Sequence, residues 1–216
     1  ARLMSNLKTS IKLHIFIAIF TIIILYFINL LHGNISEFNN SWHRYINQVS
    51  SRQMLLQDVK SHFGYGGAIH NFKNYLIRNQ EKYHVLADDQ FKNILSSIEY
   101  YRAIPNLSEF EKEALNNVSG VTQNYQKQLK IVVAMHKQGA SIKMIDQIVK
   151  VDDSPAIKAF NILQNEYDNL TAESSLAIKD WGKKSYKYTV ILFLLVAVFS
   201  LSFGSVITKF IRAKES

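Results

Sequence analysis

The sequence predicts an all-α chain: two membrane-crossing helices flanking an antiparallel, up-down-up-down four-helix bundle. Three observations predict it. Apolar residues concentrate in two uncharged blocks near the ends. Between the blocks they recur every three or four positions, the spacing of a helix packed against a neighbour. Pro 2 and Gly 8 in 216 residues are too few for the many turns of a sandwich or barrel.

The first block, Ile15 to Leu31, reads IFIAIFTIIILYFINLL. Extended back to Ile11 it admits Lys12 and His14, whose long or amphipathic side chains reach the surface. The second, Tyr188 to Thr208, reads YTVILFLLVAVFSLSFGSVIT. About 20 apolar residues in a helix cross a hydrocarbon core of about 30 Å. The first block exceeds the apolar run of a cleaved leader, and no Ala-x-Ala site follows it. Retained spans are therefore expected over residues 11–31 and 188–208. Arg2, Lys8 and Lys12 precede the first; Lys209, Arg212 and Lys214 follow the second, opposed by Glu215 alone. Basic flanks stay in the cytoplasm. Tails 1–10 and 209–216 are assigned there, and residues 32–187, nearly charge-balanced, to the outer side. Lys183, Lys184 and Lys187 point weakly the other way, but long loops translocate largely regardless of charge. The net charge of +8 thus resides mostly in the tails, where it suits anionic lipid heads. Nucleic acid is not an expected partner, because no basic stripe carries interleaved stacking aromatics.

Four helices are expected between the spans. In the first, Ile35, Phe38, Trp42, Tyr45, Val49, Leu56, Val59 and Phe63 alternate steps of three and four, with Arg52 in one seam slot. Gly64, Gly66 and Gly67 then break it, since each glycine costs about 1 kcal/mol in a helix interior. A second helix runs from Ala68 to Arg102, with Ile69, Phe72, Leu76, Tyr83 and Leu86 inward, then Phe91, Ile94 and Ile98 after a register shift. Pro105 and Asn106 make a turn, and Ser108 with Glu111 forms a capping box. The third helix carries Val118, Val121, Tyr125, Leu129 and Val132 and ends near Gly139. A short amphipathic piece, Ile142 to Val149, follows. Ser154 caps a fourth helix with Pro155 in its first turn; Phe160, Leu163, Tyr167, Leu170, Ala177 and Trp181 lead it into the second span. Four rods of about 45–53 Å at 1.5 Å per residue close a bundle with both ends at the bilayer. Trp42 and Trp181 read as core or membrane-interface aromatics.

This layout of basic tail, span, helical bundle, span and the exit Ile207-Thr208-Lys209-Phe210-Ile211-Arg212 resembles the N-terminal region of bacterial transmembrane sensors: methyl-accepting chemoreceptors, sensor histidine kinases and membrane diguanylate cyclases. The resemblance is architectural and covers nearly the whole chain. It implies residence in the bacterial inner membrane, a periplasmic sensor domain over 32–187, and an exit toward a HAMP linker and output domain. Since the chain starts at Ala1 and stops at Ser216, it is expected to be an excerpt of a longer protein.

The chemistry-bearing residues are few. Cys 0 excludes disulfides, thiolate metal sites and Cys nucleophiles. No GK[ST] phosphate loop, HExxH or G-x-S-x-G occurs, so no catalytic residue and no cofactor is expected. The stretch Gly64 to Arg78, GYGGAIHNFKNYLIR, contains no acid. Glycines open a helix whose first N–H groups favour an anion, and His70 and Lys73 share a face. Tyr65, Gly66, Gly67, His70, Asn71, Lys73, Asn74 and Arg78 are the candidate site for a small carboxylate or other anion. The alternative is a glycine hairpin with a solvated basic face. Arg52 is either a structural residue, pairing with a carboxylate or setting a dimer register, or a second ligand contact. No metal is expected; His62, His70, Asp152 and Asp153 are the lesser candidates for one. The expected function is a signalling receptor segment, dimeric, that senses a small extracytoplasmic solute and relays it through the fourth helix and second span. The alternative is a membrane-anchored helical spacer or partner-binding module.

Overall fold

The computed structural model describes the backbone of residues 2–64 and 66–215, and among them the side chains of 11–64, 66–209, 211 and 212. Tyr65 and the side chains of Arg2, Lys8, Lys214 and Glu215 lie outside the described residues. The described residues are all-α, without a strand. Helix α1 spans Arg2–Arg44, a π-helix Tyr45–Ser50, α2 Ser51–Phe63, α3 Ala68–Arg78, α4 Glu81–Arg102, α5 Glu109–Lys137, α6 Ile142–Ile148 and α7 Ser154–Glu215. They form two compact units, residues 1–42 with 175–216, and residues 43–174.

The first unit is an antiparallel pair made by α1 and α7. Phe20 stacks on Phe199 with centroids 3.5 Å apart. Asn34 Nδ2 donates to Ser185 Oγ at 2.7 Å, Trp181 Nε1 donates to the Asn34 carbonyl at 2.7 Å, and Phe38 stacks on Trp181. The advance from Phe20 to Asn34 on α1 matches the retreat from Phe199 to Ser185 on α7, two heptads on each. Asn34, only 6% exposed, fixes the axial alignment, because a one-turn slide would carry it away from Ser185 and leave its amide unpaired. These contacts are why residues 32–42 and 175–187 belong to the same unit as the apolar stretches.

Two helices, one reaching back to Ile11 and one from Ser154 to Lys209, are long and apolar enough to cross a membrane, and no part of either apolar window is buried inside the protein. Ile15, Ile19, Ile22, Leu25, Phe193, Leu194 and Leu201 are among the side chains left exposed. A core helix would bury such residues.

The second unit packs α2, α3, α4, α5, α6 and the start of α7 around Phe63, Phe91, Ile94, Ile98, Leu115, Val118, Val132, Ile145 and Leu163. Phe72 and Phe63 meet Tyr125 and Phe160 edge-on, and Phe91 stacks on Tyr125. The whole seam expected for the third helix is buried here, as are Val49, Leu56, Val59 and Phe63 of the first; of the fourth only Leu163 is buried, and Ile35, Trp42 and Ala177, expected inward, are exposed. The stretch expected as one helix from Ala68 to Arg102 is two. Asn79 adopts the left-handed conformation at φ 49°, which asparagine tolerates better than most residues. The helix restarts at Glu81, so Leu86, expected inward, is exposed while Ala87 is buried. The capping box forms: Glu111 N–H donates to Ser108 Oγ at 3.1 Å, and Ser108 N–H to Glu111 Oε2 at 2.8 Å. Asp153, not Ser154, precedes the first turn of α7. Its carboxylate accepts the Tyr125 hydroxyl at 2.5 Å instead of capping.

Candidate functional site

The acid-free stretch folds as a tight connection from α2 into α3. Gly64 closes α2, its N–H donating to the Lys60 carbonyl at 3.2 Å, and Gly67 N–H donates to the Gly64 carbonyl at 2.9 Å. Gly66 sits at φ 80°, where a Cβ would cost about 1–2 kcal/mol. Gly67 is buried and precedes α3, which begins without a side-chain cap.

Asn71 is spent on the turn. Its Nδ2 donates to Gln90 Oε1 at 2.8 Å and to the Gly67 carbonyl at 3.1 Å, with a weaker reach to Gly66. Gln90 Nε2 also turns toward the Gly66 carbonyl at 3.4 Å. Gly66, Gly67 and Asn71 are thus gathered in one place, tied to α4 by Gln90. His70, Lys73 and Ile77 make the exposed face of α3, and Asn74 is half-buried beside them. Arg78, also exposed, approaches Tyr83: Nη1 lies 3.3 Å from the Tyr83 hydroxyl and the guanidinium 5.7 Å from the ring centre.

Arg52 lies elsewhere in the same unit and is 1% exposed. Its Nε donates to Glu111 Oε1 at 2.7 Å and its Nη2 to Oε2 at 3.3 Å. The remaining reach goes to carbonyls, Gln48 through Nη1 at 3.1 Å and Asn106 through Nη2 at 3.2 Å. Tyr101 hydroxyl donates to Glu111 Oε1 at 3.2 Å. The π-helix ends two residues before Arg52, and Ser51 Oγ, at the start of α2, donates to the Ile46 carbonyl inside it. Of the two roles open to Arg52, the geometry is that of a structural pair with a carboxylate. Each of its three nitrogens is bonded inside the chain.

The lesser metal candidates are occupied separately. His62 Nδ1 faces the Asp58 carbonyl at 2.9 Å and its carboxylate at 3.4 Å. Asp152 Oδ1 accepts the Ser154 N–H at 2.9 Å, and hydrogen bonding from the Ser154 side chain and then its N–H holds the Asp152 carboxyl below the usual range. Asp153 is held by Tyr125. Among the described residues no three His, Asp or Glu gather closely enough to hold a metal ion.

Glu111, Tyr101, Gln90 and Tyr125 emerge from the structure as residues that organise these places. Glu111 carried a sequence signal through its capping box with Ser108, and Tyr125 through its place on the apolar seam of the third helix; Tyr101 and Gln90 carried none. No protein-family model, curated protein or solved structure matches this chain.

Burial pushes the phenols of Tyr101 and Tyr125 up, as it does that of Tyr75. Tyr101 is raised chiefly by desolvation and further by the Glu111 charge; Tyr125 by desolvation and then by its bond to Asp153. A folded-state value above the ordinary 10.0 contributes stability that is intact below pH 10 and is lost as pH rises beyond it, because the unfolded chain ionises first. Alkaline titration should therefore show phenolate absorbance of these two tyrosines appearing together with loss of helical circular dichroism. Tyr101→Phe with Tyr125→Phe should move that alkaline transition upward relative to the variant's own neutral-pH stability. An unmoved transition would contradict the assignment.

Proposed function

We propose that this chain is the sensing segment of a bacterial two-span signalling receptor. In this reading residues 11–31 and 188–208 cross the inner membrane and both tails are cytoplasmic. Residues 32–187 form a periplasmic antiparallel four-helix bundle, and two copies associate. A small anionic solute binds around Gly66, Gly67, His70 and Lys73. The observation that carries the reading is α7 itself, one helix from Ser154 through the exposed apolar stretch to Glu215. A helix without a break transmits a small slide or rotation from the soluble part to the far side of a bilayer, provided the packing has two discrete states and the ligand binds them unequally.

The cysteine-free chain makes topology simple to test. Single cysteines at Gln138 and at Thr9 are introduced into the full chain, and intact spheroplasts are treated with an impermeant maleimide. Gln138→Cys should be labelled, and Thr9→Cys only after lysis. The reverse pattern would sink the arrangement. For the ligand, thermal unfolding of the purified chain in detergent is followed across a panel of small carboxylates and inorganic anions, since a ligand of the folded state raises its stability. Stabilisation by a member of the panel should be lost in Lys73→Glu.

The alternative, a membrane-anchored spacer or partner-binding module, has its own support. Asn71 and Arg52, two of the polar candidates, are committed to bonds inside the chain. Such a module would show no anion-dependent stabilisation and would retain activity in Lys73→Glu.

A further inference from the structure

The stretch of α7 just before its apolar window carries Lys179, Lys183, Lys184 and Lys187, all exposed. At about 100° per residue, Lys179, Lys183 and Lys187 occupy an arc of about 80°. Trp181 and Ser185, which contact α1 through Phe38 and Asn34, centre about 180° away on the same wheel. The stripe therefore faces directly away from α1. Tyr186, 75% exposed, stands on its edge. Acids are scarce here. Asp180 is the single acid between Glu173 and Glu215, and it lies toward Lys184 at 3.8 Å.

We propose that this outward lysine stripe binds the anionic headgroups of phospholipids in the leaflet at the Tyr188 end of the apolar stretch. The proposal rests on the reading that residues 188–208 span a bilayer. Lys187 is then about 1.5 Å and Lys183 about 7.5 Å above Tyr188 at 1.5 Å per residue, spanning a headgroup layer about 5–7 Å thick. Lys179 stands about 13.5 Å above Tyr188, within one screening length of about 8–10 Å of the headgroups. Tyr186 supplies the ring that prefers this interface. A second copy is a poor occupant of the same face, because three like charges at one-turn spacing would oppose their equals.

The test uses the full chain in nanodiscs of phosphatidylcholine doped with phosphatidylglycerol, with retained lipids counted by mass spectrometry after detergent extraction. Wild type should enrich phosphatidylglycerol, less so at high salt. The variant K179Q/K183Q/K187Q should lose enrichment by up to about fivefold per lysine removed, whereas K179R/K183R/K187R keeps it. The basic tails contribute equally to all three proteins. Unchanged enrichment in the glutamine variant overturns the proposal. So does a glutamine variant that keeps its lipid preference but loses chemical cross-linking between copies, which would assign the stripe to protein contact. Failure of wild type itself to enter nanodiscs is a distinct result and would sink the spanning reading.

Discussion

Glu111→Ala should destabilise the chain by about 3–5 kcal/mol, the usual cost of stranding one member of a buried ion pair. The carboxylate serves three groups at once. It neutralises Arg52, accepts the Tyr101 hydroxyl and closes the capping box on the Ser108 N–H. Its loss leaves a guanidinium that is 1% exposed without its counter-charge, and such a group cannot escape by deprotonating. A loss of this size is a large share of the total stability of a typical domain. The pair's net worth is smaller than the penalty for breaking it. Arg52→Met combined with Glu111→Leu should therefore be markedly less damaging than Glu111→Ala alone. Denaturant melts of the full chain in detergent, followed by helical circular dichroism, measure all three. If the double variant is as unstable as the single one, the deficit comes from packing or capping rather than from the uncompensated charge. By contrast, Glu113→Ala, an exposed neighbour, should change stability by less than about 0.5 kcal/mol.

The same pair shows how much of this molecule could be read in advance. The all-α class and most core positions of the second unit followed from three-and-four spacing alone, because burial of an apolar face is what makes a helix stable. The capping box followed from Ser108 and Glu111, because its mechanism is local. Arg52 was visibly out of place on an apolar seam, but its partner lies 59 residues away, and no local rule selects Glu111 over the other acids. The π-helix at Tyr45–Ser50 left no periodic trace. The apolar steps through Tyr45 and Val49 fit an ordinary helix equally well, and the widened turn is stabilised by Arg52 and Ser51 taking carbonyls from it. The break at Asn79 was marked only by a register shift, since asparagine is compatible both with a helix interior and with the left-handed cap that ends α3. At the glycine turn the sequence offered eight candidates as a set. The fold separates them by burial, turning Asn71 inward to Gln90 and leaving His70 and Lys73 on the outer face.

That separation makes Gly67, not Gly66, the sensitive glycine of the turn. Gly66 has the unusual backbone, φ 80°, but open space where a Cβ would stand. Gly66→Ala should cost about 1–2 kcal/mol from the left-handed conformation alone. Gly67 has an ordinary extended backbone, φ −90° and ψ −155°, yet a Cβ there would collide with the carbonyl carbon and oxygen of His62 and crowd the Ser61 carbonyl. Those atoms are backbone in the last turn of α2 and cannot swing aside. Admitting one methyl means parting α2 from α3, which loosens Phe63, Ala68 and Phe72 in the core and strains the Asn71 bond to the Gly67 carbonyl. Overpacking of this kind costs about 1–3 kcal/mol and occasionally more; a backbone collision belongs at the upper end, about 3 kcal/mol. Thermal melts of the two alanine variants should therefore rank Gly67→Ala below Gly66→Ala, and both below wild type. The reverse order would mean that conformational strain, not close approach of two chain segments, governs the turn. Because the proposed anion site is assembled by this same approach, Gly67→Ala should also abolish any anion-dependent stabilisation at temperatures where the variant remains folded, while Gly66→Ala retains part of it.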